Sequence, residues 1–218
     1  MLKSLLDFLK KIADEIAPKR KDFEIVKNLS ENEIENLPKS PSPLGMDWIK
    51  PLFKYKNRIV QAIIWELKYK ENTLPLGVIG KMMYEEIIEL MSEIMMFDSD
   101  AEFLLIPIPI TPERRSERGY NQSEYIAKAI LENDSGHFLL YAPQWFEKIK
   151  ETHRQSHSRN KEERMHNLMD CFRADNRVSG KYVILIDDVT TTGSTLYEAK
   201  KSIISGGAKN VYAFTIAH

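Results

Sequence analysis

Apolar residues recur along this chain with two different periods, and the period changes from segment to segment. Between Asn57 and Tyr69 they return every three or four positions, which predicts an amphipathic helix. A second helix is predicted over Pro75–Met96, a segment rich in isoleucine and methionine. Phe103–Ile108 and Val183–Asp187 are short, nearly continuous apolar runs, typical of strands that are buried on both faces. Val211–Ile216 is predicted as a last strand. Strands that alternate with helices predict an α/β domain with a mainly parallel sheet.

Three further segments complete this pattern. Asn121 is predicted as the N-cap of a helix, because Glu124 follows three residues later with an apolar stripe behind it. Residues 138–150 are predicted to carry one or two short strands. A last helix is expected from Gly193 to Ser205, closed by the glycines at 206 and 207.

The N-terminal 45 residues differ in character from the rest. Met1–Lys21 has leucines and isoleucines at helical spacing, interrupted by lysines, which predicts an amphipathic helix and not a signal peptide. This helix could dock on the domain or on a second subunit, as in a homodimer, or it could contact a membrane surface. Ser40–Pro43, followed by Gly45, is typical of a linker. We therefore divide the chain into a helix and linker, 1–45, and a main domain, 46–218.

Composition narrows the function classes. The chain has 218 residues and a formal net charge of −1, so nothing in its overall charge favours nucleic acid or an acidic membrane as a partner. No apolar run is long enough to predict a transmembrane helix. Cys171 is the only cysteine and the five histidines are not clustered, so we expect no zinc site. A reducing, cytoplasmic compartment is the simplest interpretation.

The segment that carries chemistry follows the strand predicted at 183–187. Asp187 and Asp188 stand at its carboxyl end, which is the edge where ligands bind in open α/β sheets. The next helix begins among hydroxyl residues and one glycine: Thr190, Thr191, Thr192, Gly193, Ser194 and Thr195. Unpaired N–H groups at a helix start suit a phosphate, and carboxylates suit a ribose diol. The alternative is a simple helix cap, with Thr195 and Glu198 as a capping box.

This segment resembles the motif that binds 5-phosphoribosyl-1-pyrophosphate (PRPP) in type I phosphoribosyltransferases: apolar residues, two acids and then Thr-Gly-x-Thr. The resemblance implies that Asp187 and Asp188 hold the ribose hydroxyls and that residues 190–195 hold the 5′-phosphate. It also implies a Rossmann-like, mainly parallel sheet flanked by helices, with an N-terminal helical or hood extension. Mg²⁺ is expected to enter with the ligand, held mostly by ligand oxygens and water, so no dedicated protein metal site is predicted.

Further short patterns, in the same order along the chain, resemble the ComF family, also called the competence-associated or GntX-like phosphoribosyltransferases. These patterns are Leu67–Tyr69, Pro107–Pro109, Arg118–Glu124, Thr152 with Gln155, Arg164 with Asn167 and Phe172, and Phe214–His218. The resemblance covers about residues 50–218. Members of this family commonly begin with a cysteine-rich zinc ribbon, whereas the first forty residues here contain no cysteine. We therefore expect no zinc and no function that the ribbon would carry.

Two charged segments have alternative interpretations. The first is a loop that could hold the pyrophosphate or could simply be a solvated basic loop. Its residues are Arg114, Arg115, Arg118 and Gly119. The second, 148–166, is either a lid over the ligand or an exposed charged loop. The candidate lid residues are Thr152, Arg154, Gln155 and Arg164.

The resemblance implies an enzyme of nucleotide metabolism that transfers phosphoribosyl from PRPP to an acceptor and releases pyrophosphate. The sequence identifies neither a general base nor the acceptor. Trp48, Trp65 and Tyr69 could stack on a base, but lone aromatic residues more often belong to the core. The alternative is a non-catalytic, PRPP-responsive accessory module of DNA uptake, with a competence helicase as a possible partner. Direct nucleic-acid binding is disfavoured by the net charge of −1.

Overall fold

The computed structural model describes residues 25–69, 74–150 and 171–218, and the helix predicted at 1–21 lies outside these ranges. Within them the strands are β1 (Ile49–Phe53), β2 (Phe103–Pro107), β3 (Leu139–Tyr141), β4 (Phe146–Lys148), β5 (Phe172–Ala174), β6 (Tyr182–Val189) and β7 (Asn210–Ala217). The helices are α1 (Glu31–Glu35), α2 (Arg58–Tyr69), α3 (Leu74–Met95), α4 (Pro112–Arg118), α5 (Gln122–Leu131) and α6 (Ser194–Ser205).

The main sheet has five strands in the order β1-β7-β6-β2-β3, and every neighbouring pair runs parallel. The remaining two strands, β4 and β5, form a separate antiparallel ribbon. The predicted α/β class with a mainly parallel sheet is therefore confirmed. Because both faces of such a sheet must be covered, its central strands are apolar at nearly every position.

Alternate residues of the central strands face two different layers. In β6, Ile184 and Ile186 contribute to a core with α1, α2, α3 and α5, whereas Val183 and Leu185 contribute to a second core with α6 and the ribbon. This alternation follows from the two-residue period of a strand. None of the helices in the described part of the chain combines the length and the apolar content that a bilayer span requires.

The edge strand β1 has no counterpart among the predicted strands. Pro51 stands in its middle, and a proline lacks the N–H group that a central strand needs, so sequence patterns argue against a strand here. β1 tolerates Pro51 because it pairs with a neighbour on one side only, through Ile49, Lys50, Pro51 and Phe53 opposite β7. The missed strand is the one that completes the sheet beside the last strand of the chain.

The segment predicted as a basic loop is instead the short helix α4, and that prediction was wrong. The side chain of Thr111 accepts a hydrogen bond from the N–H of Arg114, and Pro112 occupies the first turn. Gly119 ends the helix in the left-handed conformation, with φ of 84°. An N-cap threonine, an early proline and a C-terminal glycine are the ordinary start and stop signals of a helix, and they outweigh the polarity of the intervening residues.

Residues N-terminal to the predicted linker contribute to the first of the two cores. Val26, Leu29, Ile34 and Leu37 are all buried there. Ser30 caps α1 through a reciprocal capping box with Glu33. The division of the chain at residue 45 stays a prediction.

Candidate functional site

The strand order creates a crevice between β2 and β6. After β2 the chain proceeds through α4 and α5 to β3 on one side, whereas after β6 it proceeds through α6 to β7 on the other. The two connections therefore diverge at the carboxyl ends of adjacent strands, which is where open α/β sheets bind ligands. The N–H of Ile108 donates to the carbonyl of Ile186 at 2.9 Å, just before the connections separate. Both the acid pair and the arginine segment of the sequence flank this crevice.

Asp187 and Asp188 lie in the last part of β6 and are half-exposed. The Oδ1 atom of Asp187 accepts hydrogen bonds from the hydroxyl of Ser123 at 3.0 Å and from the N–H of Asp188 at 2.9 Å. The Oδ1 atom of Asp188 accepts from the N–H of Val189 at 2.8 Å. These three hydrogen bonds, all accepted by carboxylate oxygens, fix the orientation of both side chains.

Ser123 joins the two sides of the crevice, and sequence reasoning gave it no role. It lies buried in the first turn of α5, whose N-cap is Asn121, as predicted. The Asn121 side chain accepts from the N–H of Ser123 at 3.1 Å and donates to the carbonyl of Ile108 at 3.0 Å. The start of α5 is therefore anchored to the end of β2, and this places the Ser123 hydroxyl against Asp187. Ser123 lies within the Asn-Gln-Ser segment noted in the sequence. That local pattern does not reveal the contact with Asp187, which is 64 positions away.

The turn after β6 leads into a helix whose N-cap residue is a glycine and therefore has no capping side chain. The hydroxyl of Thr192 accepts a hydrogen bond from the N–H of Ser194 at 3.4 Å. Gly193 occupies the N-cap position with φ of 73°, and the first hydrogen bond of α6 runs from the N–H of Tyr197 to the carbonyl of Gly193. The N–H groups of residues 194–196 thus have no carbonyl one turn earlier in the helix. Thr195 is already inside α6, so the alternative of a Thr195–Glu198 capping box was wrong. A helix start of this kind can accept an anion.

The side chains of the turn differ in exposure. Thr191 and Thr192 are exposed, and the hydroxyls of Thr192 and Ser194 lie 2.8 Å apart. Thr190 is buried, with 5% of its surface exposed, and its N–H donates to the carbonyl of Ala217 at 3.0 Å. The turn therefore presents its middle residues outward while its first residue belongs to the sheet.

Met46 packs beneath Gly193, close enough that a side chain at position 193 would contact the Met46 sulfur. A glycine is thus favoured at position 193 for two reasons, the left-handed backbone conformation and the close approach of Met46. Met46 is the first residue of the main domain predicted at 46–218, directly after the predicted linker. Its side chain therefore supports the turn from below.

The arginine segment on the other side of the crevice is held by an ion pair. Both terminal nitrogens of Arg115 donate to the carboxylate of Glu124, at 2.6 and 2.9 Å, and this contact raises the pKa of Arg115. Arg114 is half-buried, and the side chain of Arg118 lies outside the described part of the chain. A pyrophosphate that used Arg115 would have to compete with Glu124.

The predicted lid residues, Thr152, Arg154, Gln155 and Arg164, lie outside the described ranges. The two flanks of that segment are described, because β4 and β5 pair with each other and Ile149 donates to the carbonyl of Cys171 at 2.8 Å. Ala174 approaches Gly206 at the end of α6, whereas the carbonyl of Phe172 accepts from Ser202, one turn nearer the start of α6. The end of the ribbon at residues 149 and 171 therefore lies toward the start of α6, where Gly193 is the N-cap.

The aromatic residues considered for stacking on a base lie in different surroundings. Trp48 is half-buried, and Nζ of Lys200 lies 4.5 Å from its ring centroid. Burial lowers the pKa of Lys200. Trp65 is half-buried on α2, and the side chain of Tyr69 lies outside the described part of the chain.

The curated proteins with similar sequences are named as competence or DNA utilization proteins. Competence protein ComFC of Bacillus subtilis is 35% identical over 120 residues, which are 54% of this chain and 45% of that protein. Competence protein ComFC of Streptococcus pneumoniae is 34% identical over 115 residues, 53% of this chain and 48% of that protein. DNA utilization protein YhgH of Salmonella typhi is 28% identical over 114 residues, 51% of this chain and 48% of that protein. These similarities support a ComF-like competence family for this chain.

The chain spans about half the length of the curated relatives it matches. No family model matches it. Its parallel sheet flanked by helices is consistent with the type I phosphoribosyltransferase fold that the sequence resemblance implied.

Proposed function

We propose that this ComF-like chain is a phosphoribosyltransferase that binds PRPP with Mg²⁺ in the crevice between β2 and β6. It transfers the phosphoribosyl group to an acceptor and releases pyrophosphate. The observation that carries the proposal is the combination of an oriented acid pair and a helix start with a glycine N-cap, both at the end of one strand and at a topological switch point. Each part of PRPP has a matching part of this crevice.

The 5′-phosphate fits residues 190–195, which we call the phosphate turn. The start of α6 offers backbone N–H groups and the positive end of the helix dipole. The exposed hydroxyls of Thr191 and Thr192 add donors without adding charge. Because Gly193 has no side chain, the phosphate can approach the backbone closely.

The ribose diol and Mg²⁺ fit the acid pair. Among the described residues, no group of three or more His, Cys, Asp or Glu side chains is arranged to hold a metal ion. Mg²⁺ does not need such a group, since it commonly binds one or two carboxylates, phosphate oxygens and waters. Asp187 and Asp188 supply carboxylates of that kind, and Mg²⁺ would neutralise charge on the pyrophosphate. The expectation that the protein holds no zinc stays a prediction.

The pyrophosphate fits the β2 side of the crevice. Arg114 and Arg115 lie on α4, which begins five residues after β2 ends. Guanidinium groups bind phosphate oxygens through paired hydrogen bonds. Arg115 is the residue whose present partner, Glu124, would be exchanged for the ligand.

The proposed reaction is a displacement at C1 of the ribose. The bond between C1 and the pyrophosphate oxygen breaks with its electron pair, and a bond forms between C1 and a nucleophilic atom of the acceptor. The acceptor loses one proton, and no residue of the chain is assigned to receive it. The protein contributes position and neutralisation of the leaving group.

A second candidate function is a PRPP-responsive module that catalyses no reaction. It is favoured by the names of the relatives, which are competence and DNA utilization proteins. In this case PRPP binding would regulate a contact in DNA uptake, with a helicase as the proposed partner. Both candidates require PRPP to bind in the same crevice. They differ in whether a product is then formed.

Pyrophosphate release distinguishes the two candidates. Purified protein is incubated with PRPP and Mg²⁺ while a panel of nucleobases, amines and ammonia is supplied one by one. A transferase releases pyrophosphate only with its acceptor, and the Asp187→Asn/Asp188→Asn variant gives no release. Tight PRPP binding without release for any member of the panel would contradict the transferase and favour the regulatory module.

A further inference from the structure

His218 connects three elements at the carboxyl edge of the sheet. Its N–H donates to the carbonyl of Phe53 at 3.0 Å, and its carbonyl accepts from the N–H of Tyr55 at 2.8 Å. Its ring nitrogen Nδ1 lies 3.2 Å from the carbonyl oxygen of Thr190. The residue therefore joins the end of β1 to the first residue of the phosphate turn.

The contact with Thr190 fixes the tautomer of the ring. A carbonyl oxygen can only accept a hydrogen bond, so Nδ1 must carry the proton and donate it. The neighbouring residue holds the other side of the same turn residue, because the N–H of Thr190 donates to the carbonyl of Ala217 at 3.0 Å. Both backbone groups of Thr190 are thus bonded to consecutive residues, Ala217 and His218.

This arrangement also determines where the next N–H group points. A trans peptide group is planar, and it holds its C=O and the following N–H on opposite sides. No cis peptide bond is found in the described residues. Because the Thr190 carbonyl is directed at His218, the N–H of Thr191 points away from His218. A flip of this peptide would present a carbonyl oxygen, which repels phosphate, where an N–H is required.

We infer that His218 is a positioning residue for the phosphate turn, acting through the hydrogen bond from Nδ1 to the Thr190 carbonyl. This inference rests on the proposed function, because it assigns the turn to the 5′-phosphate. The bond keeps the Thr190–Thr191 peptide in one orientation before the ligand arrives, which lowers the ordering cost of binding. Neither the composition nor the motif around 183–195 reveals this contact, since the two residues are 28 positions apart.

The test uses side-chain amides that replace one ring nitrogen at a time. The Nδ2 atom of asparagine occupies the place of Nδ1, whereas the Nε2 atom of glutamine occupies the place of Nε2. PRPP with Mg²⁺ and ribose 5-phosphate alone are titrated calorimetrically into the wild type and into His218→Ala, His218→Asn and His218→Gln. His137→Asn is the control, because His137 is exposed and precedes β3 at the opposite edge of the sheet.

We expect His218→Ala to weaken both ligands by about threefold to tenfold, the scale of one hydrogen bond. Asn should restore affinity to within about twofold, Gln should not, and His137→Asn should have no effect. Inorganic pyrophosphate with Mg²⁺ lacks the 5′-phosphate, so its binding should be equal in all variants. Equal affinity of the Asn and Gln variants, or an Ala variant that binds as the wild type does, would overturn the inference alone. A wild type that binds neither PRPP nor ribose 5-phosphate would overturn the proposed function, and the inference with it.

Discussion

The two sides of the crevice are built in different ways. On the β6 side, Asp187, Asp188 and the phosphate turn are held by backbone hydrogen bonds, by the Ser123 hydroxyl and by packing against Met46. On the β2 side, Arg115 is largely exposed and is held by a side-chain ion pair with Glu124. Under the proposed function, the β6 side is fixed before PRPP binds, whereas on the β2 side Arg115 would have to exchange Glu124 for the ligand.

This difference indicates a division of labour. Under the proposed function, backbone groups in a sheet and at a helix start would recognise a phosphate and a diol without rearrangement, which would support affinity for the ribose 5-phosphate part of PRPP. An arginine that leaves an internal carboxylate for the ligand gives a smaller net gain, because one ion pair replaces another. We therefore expect changes on the β6 side to affect binding more strongly than changes on the β2 side.

The largest effect is expected from the acid pair. Asp188→Asn keeps an oxygen that can accept from the N–H of Val189, so the fold should be retained. It removes the charge that would face the diol and Mg²⁺, and we expect PRPP binding to weaken by about 1.5–3 kcal/mol. Titration of PRPP with Mg²⁺ measures the change, and Asp100→Asn, at an exposed position beyond α3, is the control. Unchanged affinity of Asp188→Asn would remove the acid pair from the site.

The second largest effect is expected from Gly193. Alanine should cost about 1–2 kcal/mol of stability in the left-handed conformation, and it would also displace Met46. Gly180 is a matched control, because its φ of 74° is close to the 73° of Gly193 while nothing lies within 4 Å of the position of an added Cβ. In thermal unfolding, both alanine variants should lose the stability that the left-handed conformation costs, and Gly193→Ala should lose more because it also displaces Met46. Only Gly193→Ala should weaken the binding of ribose 5-phosphate, by about tenfold or more. Equal affinity of the two variants for ribose 5-phosphate would contradict a phosphate site at this turn.

On the β2 side we expect smaller changes in PRPP affinity. Substitutions of the two ion-pair partners, Arg115 and Glu124, should change this affinity in opposite directions. Arg115→Gln should weaken PRPP by about twofold to fivefold, whereas Glu124→Gln should strengthen it by about twofold because it releases Arg115. Both variants should change stability by less than about 1 kcal/mol, since the pair is partly exposed. Glu132→Gln, at the other end of α5, controls for the loss of a negative charge. If both substitutions weaken PRPP binding alike, the ion pair supports the fold, and Arg115 is not released from Glu124 to bind the ligand.

The smallest effect is expected from an ion pair outside the crevice. Hydrogen bonds from Arg177, first from its side chain and then from its N–H, lower the pKa of Asp175 to about 2. A lowered carboxylate pKa stabilises the fold above its unfolded value of about 3.9, and this contribution is lost as the pH falls toward 2. The melting temperature of Asp175→Asn should therefore be below that of the wild type at pH 7, and the two should converge between about pH 4 and pH 2. PRPP affinity at pH 7 should be the same in both, and a gap that widens in acid would contradict this assignment.

The sequence predicted the elements whose patterns are local. The apolar runs of β2 and β6 and the Asn121 cap of α5 are confirmed, because strand periodicity and capping depend on neighbouring residues. β1 was missed because Pro51 is compatible only with an edge, and an edge is a property of the whole sheet. α4 was predicted as a loop because its arginines were given more weight than its Thr-Pro start.

The candidate site was predictable in its chemistry but not in its supports. Asp187, Asp188 and Gly193 follow from a single motif, and the strand order brings them to the crevice as an open α/β sheet requires. The contacts made by Ser123, Met46 and His218 join distant parts of the chain, and no local pattern encodes them.

Calorimetric titration of PRPP into the wild type measures whether the crevice is a PRPP site. We expect one PRPP to bind per chain, with full affinity only when Mg²⁺ is present. The Asp187→Asn/Asp188→Asn variant should lose this binding while keeping its melting transition, and ribose 5-phosphate should compete with PRPP for the same site. A folded wild-type protein that shows no binding of PRPP in the presence of Mg²⁺ would contradict a PRPP site in this crevice.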